Sequence, residues 1–164
     1  MWVLTYMLFF TYTKFVYVNA MALLNYFYRG VLMDYKKLAK SAIDARENAY
    51  VPYSNFKVGA AVITCDGSIY TGCNIENASY GATNCAERTA IFKAVSEGHK
   101  KIKAIAIVGD MSTYTYPCGI CRQVIVEFAA LDIHIILVKN EDDYIIKTME
   151  EILPGAFTKE DLLK

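Results

Sequence analysis

The chain has 164 residues, the length of one ordinary domain and enough to close a core without covalent staples. Its 17 basic and 17 acidic side chains balance, which excludes bulk electrostatic attraction to nucleic acid or to an anionic membrane. The five cysteines are an odd number and argue against a disulfide framework. The tight Cys118-x-x-Cys121 pair points instead to metal or redox chemistry in a reducing compartment, and so to the cytoplasm.

Residues 1–32 differ in character from the rest of the chain. From Met1 to Tyr28 the sequence is apolar and rich in aromatics, with Lys14 its single charge. The opening Met-Trp-Val-Leu lacks the basic residues of a secretory signal. Lys14 divides the stretch into pieces shorter than the roughly 20 residues of a membrane span. Met33 precedes Asp-Tyr-Lys-Lys-Leu-Ala, a natural first turn for an amphipathic helix. Residues 1–32 are therefore expected to be an extension outside the working protein, with a membrane anchor as the second reading. Residues 33–164 are the expected domain. Setting aside Lys14 and Arg29 leaves 15 basic residues against 17 acidic ones, formally −2, which disfavours an RNA or DNA substrate. Lys100, Lys101 and Lys103, the densest basic cluster, suit a helix end better than a phosphate track.

Tyr35, Leu38, Ala39, Ala42, Ile43, Ala45, Arg46 and Ala49 recur at helical spacing and predict a first helix that ends before Pro52. Two β-rich runs, 57–64 and 68–73, flank Asp66-Gly67 and predict a hairpin. Residues 74–84 read as a loop, and Cys85 to Glu97 as a helix closed by Gly98. Strands are expected over 102–108, 133–138 and 144–148. A helix is expected from Cys118 to about Ala129, and Leu153 to Phe157 should form a turn before a terminal helical stretch. Strands alternating with helices predict an α/β fold: a three-layer α/β/α arrangement around a mixed central sheet of about five strands.

The chemistry concentrates at three cysteines. Cys118 and Cys121 are three apart at a helix start, so their sulfurs share one face. Pro117 suits that start, because its fixed φ favours the first turn and its missing N–H is not needed there. Cys85 opens the other helix, and two helix N-termini converging on one spot favour thiolates. Zinc takes four ligands, and catalytic sites leave one position for water. Three cysteines then hold one zinc ion per chain, with Glu87 in the first turn placed to shuttle protons. This is the arrangement known for zinc nucleobase deaminases, where a Cys-x-Glu piece is followed by Pro-Cys-x-x-Cys. A redox pair would want a thioredoxin-like context and would explain neither Cys85 nor Glu87. A structural four-cysteine site would recruit Cys73 or Cys65 and leave Glu87 without a role. His99 and His134 read as surface and strand residues rather than ligands.

Six stretches carry a closer likeness. They are Tyr53-Ser-Asn-Phe-Lys-Val-Gly-Ala-Ala61, Gly72-Cys-Asn-Ile-Glu-Asn-Ala78, Asn84-Cys-Ala-Glu-Arg-Thr-Ala90, Ser96-Glu-Gly98, Pro117-Cys-Gly-Ile-Cys-Arg-Gln123 and Leu153-Pro-Gly-Ala-Phe157. In this order the chain from Met33 to about Leu163 resembles the small homotetrameric bacterial-type cytidine deaminases. The resemblance implies hydrolytic deamination of free cytidine and deoxycytidine to uridine and deoxyuridine, with release of ammonia. It implies that Glu87 takes a proton from the water that zinc carries, delivers it to ring N3 and protonates the departing amine. Asn74 and Glu76 would hold the ribose 3′-hydroxyl, Phe56 would pack on the base, and the Ala86 backbone N–H would contact the pyrimidine. Tyr80 and Phe157 would reach a neighbouring subunit's site, making a homotetramer with shared active sites. Arg88 and Arg122 would hydrogen-bond to the thiolates and offset their charge.

The rivals are a deaminase of another aminated heterocycle, such as blasticidin S, a nucleic-acid editor, and a structural zinc module. The intact Asn74-Ile-Glu-Asn77 favours a nucleoside over the first, and the acidic domain speaks against the second. Turnover of cytidine separates an enzyme from the third.

Overall fold

The computed structural model describes residues 33–163; the expected extension over 1–32 lies outside the described residues. Helix α1 (Tyr35–Arg46) buries Leu38, Ala39, Ala42 and Ala45 along one face. It stops three residues short of the expected end. The N–H groups of Glu47, Asn48 and Ala49 turn back onto Asp44, Ala45 and Arg46 at 3.4, 3.1 and 3.1 Å. The next residue is then claimed from far along the chain: Tyr50 N donates to Asn74 O at 3.0 Å, and Glu76 N donates to Tyr50 O at 2.9 Å.

Strands β1 (Gly59–Thr64) and β2 (Ile69–Cys73) form the expected antiparallel hairpin. Its turn needs Gly67, which adopts φ 92°. β1 begins two residues later than the sequence suggests, because Asn74 takes over Val58: the Val58 N–H donates to Asn74 Oδ1 at 2.8 Å. Helix α2 (Ala86–Ser96), strand β3 (Ile102–Val108), helix α3 (Gly119–Phe128), and strands β4 (His134–Val138) and β5 (Tyr144–Thr148) follow. Two short helices, α4 (Met149–Ile152) and α5 (Lys159–Leu162), close the chain. α4 has no counterpart in the periodicity; it is started by a capping box in which Thr148 and Glu151 bond each other's backbone N–H.

The five strands run in the order β2-β1-β3-β4-β5. Only β3 and β4 are parallel, joined through α3, so the sheet is mixed as expected. Its two faces differ in kind. Ala61, Ala104 and Ala106 lie on the face covered by α1, which approaches so closely that a Cβ on Gly59 would stand 2.1 Å from Ala42 O. The other face presents Val62, Ile105, Ile107, Ile135 and Leu137 to Ile91 of α2 and Ile125 of α3. There Gly72 performs the matching service, since a Cβ on it would meet Ala90 N at 2.4 Å. Helices on both faces make the three layers. Among the described residues no helix is long and apolar enough to cross a membrane.

At one end of the sheet Gly59 pairs with both Cys73 and Val108. The chain therefore leaves the sheet at that end in the two loops, after β2 and after β3, that lead to the two cysteine-bearing helices.

Candidate active site

Cys85 and Cys118 are the N-cap residues of α2 and α3, both with extended backbone (φ −78°, ψ 156° and φ −65°, ψ 165°). Each cap carbonyl accepts the first helical hydrogen bond, Thr89 N to Cys85 O and Arg122 N to Cys118 O, both at 3.0 Å. Cys121 follows one turn into α3 and is fully buried. The three sulfurs lie within 4.8 Å of one another, with Cys85 and Cys118 Sγ 3.9 Å apart. Tetrahedral zinc with Zn–S near ~2.3 Å requires sulfurs about 3.8 Å apart, so this donor set fits one zinc ion. Among the described residues no other group of His, Cys, Asp and Glu side chains is gathered in this way.

Neither Cys65 nor Cys73 joins the cluster, which removes the structural four-cysteine arrangement. The histidines are occupied elsewhere. His134 Nδ1 lies 2.5 Å from the Tyr35 hydroxyl. His99 sits 3.2 Å from Asp66, with its ring against Tyr70.

The thiols share their protons unequally. A hydrogen bond from Cys121, helped by Arg88, holds the Cys85 thiol down to about 5. As donor to Cys85, Cys121 is pushed far above the ordinary thiol range. The Arg88 Nη2 donates to Thr83 O at 3.0 Å and approaches Cys85 Sγ at 3.7 Å. Its Nε is buried without a hydrogen-bond partner among the described residues. Glu87, only 4% exposed, has its carboxyl raised to about 7 by burial, with the Cys85 charge adding to the rise. Ala86, between the two, is the first residue of α2 and is buried. The first N–H groups of a helix have no partner within it.

Beside the cluster lies the loop after β2. Asn74 spends its side chain on backbone: Oδ1 accepts from Val58 N and Nδ2 donates to Phe56 O, each at 2.8 Å. Glu76 Oε2 accepts from Tyr53 N and Ser54 N at 2.9 and 3.2 Å. A hydrogen bond from the Ser54 side chain, followed by those backbone donors, holds its carboxyl below the usual range. Ile75 bridges Tyr50 on one side and Asn84 on the other, tying this loop to the residue before Cys85. Tyr53, Ser54, Glu76, Tyr80 and Thr83 line an open pocket of about 310 Å³. Phe56, Asn74 and Phe157 are not among its walls. Tyr80 and Phe157 are 76% and 59% exposed. Tyr53, Ser54 and Thr83 line the pocket without being expected from the sequence. Tyr53 and Ser54 open the family-like stretch 53–61, whereas Thr83 carries no signal.

Arg122 departs from expectation. Its Nε donates to Pro117 O at 2.8 Å and its Nη1 to Ile152 O at 2.6 Å, so these donors serve backbone carbonyls instead of thiolates. The destination Ile152 lies in α4, which local periodicity did not reveal.

The family described as the cytidine and deoxycytidylate deaminase zinc-binding region matches residues 33–137. The chain belongs to that family. As a member of the deaminase family it is 55% identical over 130 residues to the cytidine deaminase of Halalkalibacterium halodurans, covering 79% of this chain and 98% of that one. To the probable cytidine deaminase of Dictyostelium discoideum it is 46% identical over 136 residues, covering 80% and 90%. In three dimensions it is similar to the cytidine deaminase of Burkholderia pseudomallei, with a TM-score of 0.69 at 48% identity over 74% of this chain and 97% of that one.

Proposed function

We infer that this deaminase-family chain is a zinc-dependent enzyme that hydrolyses free cytidine and deoxycytidine to uridine and deoxyuridine with release of ammonia, in pyrimidine salvage. The observation that carries the reading is the gathering of three sulfurs at zinc spacing beside a buried carboxyl. Cys85, Cys118 and Cys121 hold the metal. When bound, zinc supplies Lewis acidity that makes water a usable nucleophile near neutral pH.

Glu87 is the proton carrier. It accepts the proton that the attacking water loses and passes it to ring N3, then takes the remaining hydroxyl proton as the C4 carbonyl forms and delivers it to the amino nitrogen that leaves as ammonia. A carboxyl with a pKa near the working pH can serve as both base and acid. Burial and the Cys85 charge raise it toward that range. A divalent cation beside it pulls the other way, so the loaded site works with a more acidic Glu87 than the ion-free protein. Arg88, lying against Cys85, offsets thiolate charge that would otherwise blunt the metal's acidity.

Asn74 and Glu76 take the ribose 3′-hydroxyl, Phe56 packs on the base, and Ala86 N–H meets the pyrimidine. Glu76, kept ionised by its donors, repels a nucleotide's phosphate and so favours nucleosides. Tyr80 and Phe157 complete a neighbour's site in a homotetramer; the exposure of both aromatic rings on the single chain supports this. The working protein is the domain from Met33 onward, in the cytoplasm, with residues 1–32 dispensable. The start of the family match at residue 33 supports that boundary.

The test compares cytidine, cytidine monophosphate and a short single-stranded oligonucleotide as substrates for protein starting at Met33. Loss of the cytidine absorbance alone is expected. A zinc-loaded protein that leaves cytidine and deoxycytidine unchanged would sink the proposal.

A further inference from the structure

Arg122 and Gln123 directly follow the ligand Cys121, and the hydrogen bonds they make lead away from the sulfurs. Arg122 spans two carbonyls, Pro117 O at 2.8 Å and Ile152 O at 2.6 Å. Gln123 Nε2 donates to Phe157 O at 2.7 Å. Farther along α3, Lys159 Nζ reaches Glu127 O at 3.1 Å. Phe157 lies on the stretch between α4 and α5, and Ile152 and Lys159 flank it as the last residue of α4 and the first of α5, so these bonds fasten that stretch at both ends and at Phe157. That stretch pairs little with itself: its backbone bonds among the described residues are at its ends, Leu153 N to Met149 O and Asp161 N to Thr158 O. In the middle Gly155 turns at φ 68°. Side chains of the metal-bearing helix therefore set where this strap runs.

We propose that Arg122 and Gln123 are positioning residues that register the strap 153–157, and with it the Phe157 ring, against the helix carrying Cys118 and Cys121. The proposal rests on the cytidine deaminase reading above, in which Phe157 reaches the nucleoside site of a neighbouring subunit. Arg122 serves here by shape. Its guanidinium reaches two carbonyls at once, and one of them belongs to Pro117, directly before Cys118. A lysine carries a single nitrogen and cannot span the pair. Gln123 is exposed, so replacing it leaves no buried group stranded. Its loss frees the strap without undermining the core. Phe157 would touch substrate and move no proton, so the effect falls on KM rather than kcat.

The experiment measures cytidine kinetics and zinc content in the zinc-loaded parent, Gln123→Met, Arg122→Lys and Arg122→Gln. Gln123→Met is expected to keep its zinc and its kcat while KM rises about two- to tenfold, the range for one lost neutral hydrogen bond. Combining it with Phe157→Ala should add little to the KM of Phe157→Ala alone, because both act through one ring. Arg122→Lys is expected to raise KM as far as Arg122→Gln does. Parental KM in Gln123→Met, or a fall in kcat at unchanged KM, would overturn the positioning of Phe157. Parental behaviour restored by Arg122→Lys and not by Arg122→Gln would show that charge alone matters. Amide hydrogen exchange over residues 153–158 reads the strap without reference to turnover. It should quicken in Gln123→Met, and unchanged exchange would overturn the proposal even in a chain that proved inactive on cytidine. An inactive parent would count against the function alone.

Discussion

The two halves of the site differ in what their side chains are already doing. On the metal side, the sulfurs of Cys85, Cys118 and Cys121 face one another, and the Glu87 carboxyl is buried beside them. On the side proposed to take the sugar, Asn74 and Glu76 are occupied in holding the backbone of residues 53–58. One half keeps its reactive groups available, while the other uses its polar groups to build a loop that walls the open pocket. Damage should therefore look different in each: lost chemistry with an intact fold in the first, and weakened binding together with weakened structure in the second.

The sharpest break in that contrast is Glu87→Gln. It should lower kcat by at least the ~10²–10⁴-fold typical of general acid–base catalysis while zinc, measured by metal analysis, stays bound. Loss of zinc would mean that Glu87 holds the metal rather than moves protons. Cys121→Ala should instead release zinc and abolish turnover together, because two sulfurs make a far weaker site; added zinc should restore little. Asn74→Ala tests the other half. It should raise KM and also cost about 1–3 kcal/mol of stability in denaturant unfolding, since it strands the part-buried Val58 N–H. A rise in KM with parental stability would erase the proposed difference between the halves.

A finer test uses pH. In the ion-free protein the Glu87 carboxyl is raised to about 7 from an ordinary 4.5, so the folded state holds that proton longer than the unfolded state does. Its contribution is complete below about pH 4.5 and is lost as pH rises through 7. Glu87→Gln, which cannot ionise, should be more stable than the chelator-treated parent at pH 8 by on the order of 3 kcal/mol. The gap should close toward pH 5. Equal stability at both would mean that the carboxyl is less buried than it stands here.

How far each half could be read in advance depends on the range of its interactions. Cys85-Ala-Glu87 and Pro117-Cys-Gly-Ile-Cys121 are local patterns at helix starts, and the structure places both cysteine caps where the spacing put them. The Asp66-Gly67 hairpin and β3 are local too. The end of α1 was illegible because Tyr50 is drawn away by Asn74 and Glu76, more than twenty residues on. The path of Arg122 was illegible for the same reason, since Ile152 lies 30 residues on. The family resemblance suggested a thiolate partner, and nothing near Arg122 in sequence announced a carbonyl. The duty of Asn74 and Glu76 to the backbone was illegible too, since the partners Tyr53, Phe56 and Val58 lie far back along the chain.

Gly59 carries one more implication. It sits at the sheet end nearest the chemistry, paired on both sides, with the α1 backbone where a side chain would begin. The neighbours Ala60, Ala61 and Val62 are fully buried, Ala61 beneath α1 and Val62 on the opposite face beneath α2 and α3, so water reaches them only when the helices lift off the sheet. Their amides should be among the slowest in the molecule to exchange with solvent, opening only with the whole domain. Proton turnover proposed at the Glu87 carboxyl would then take place in the same domain as a region that keeps its own protons for as long as the protein stays folded.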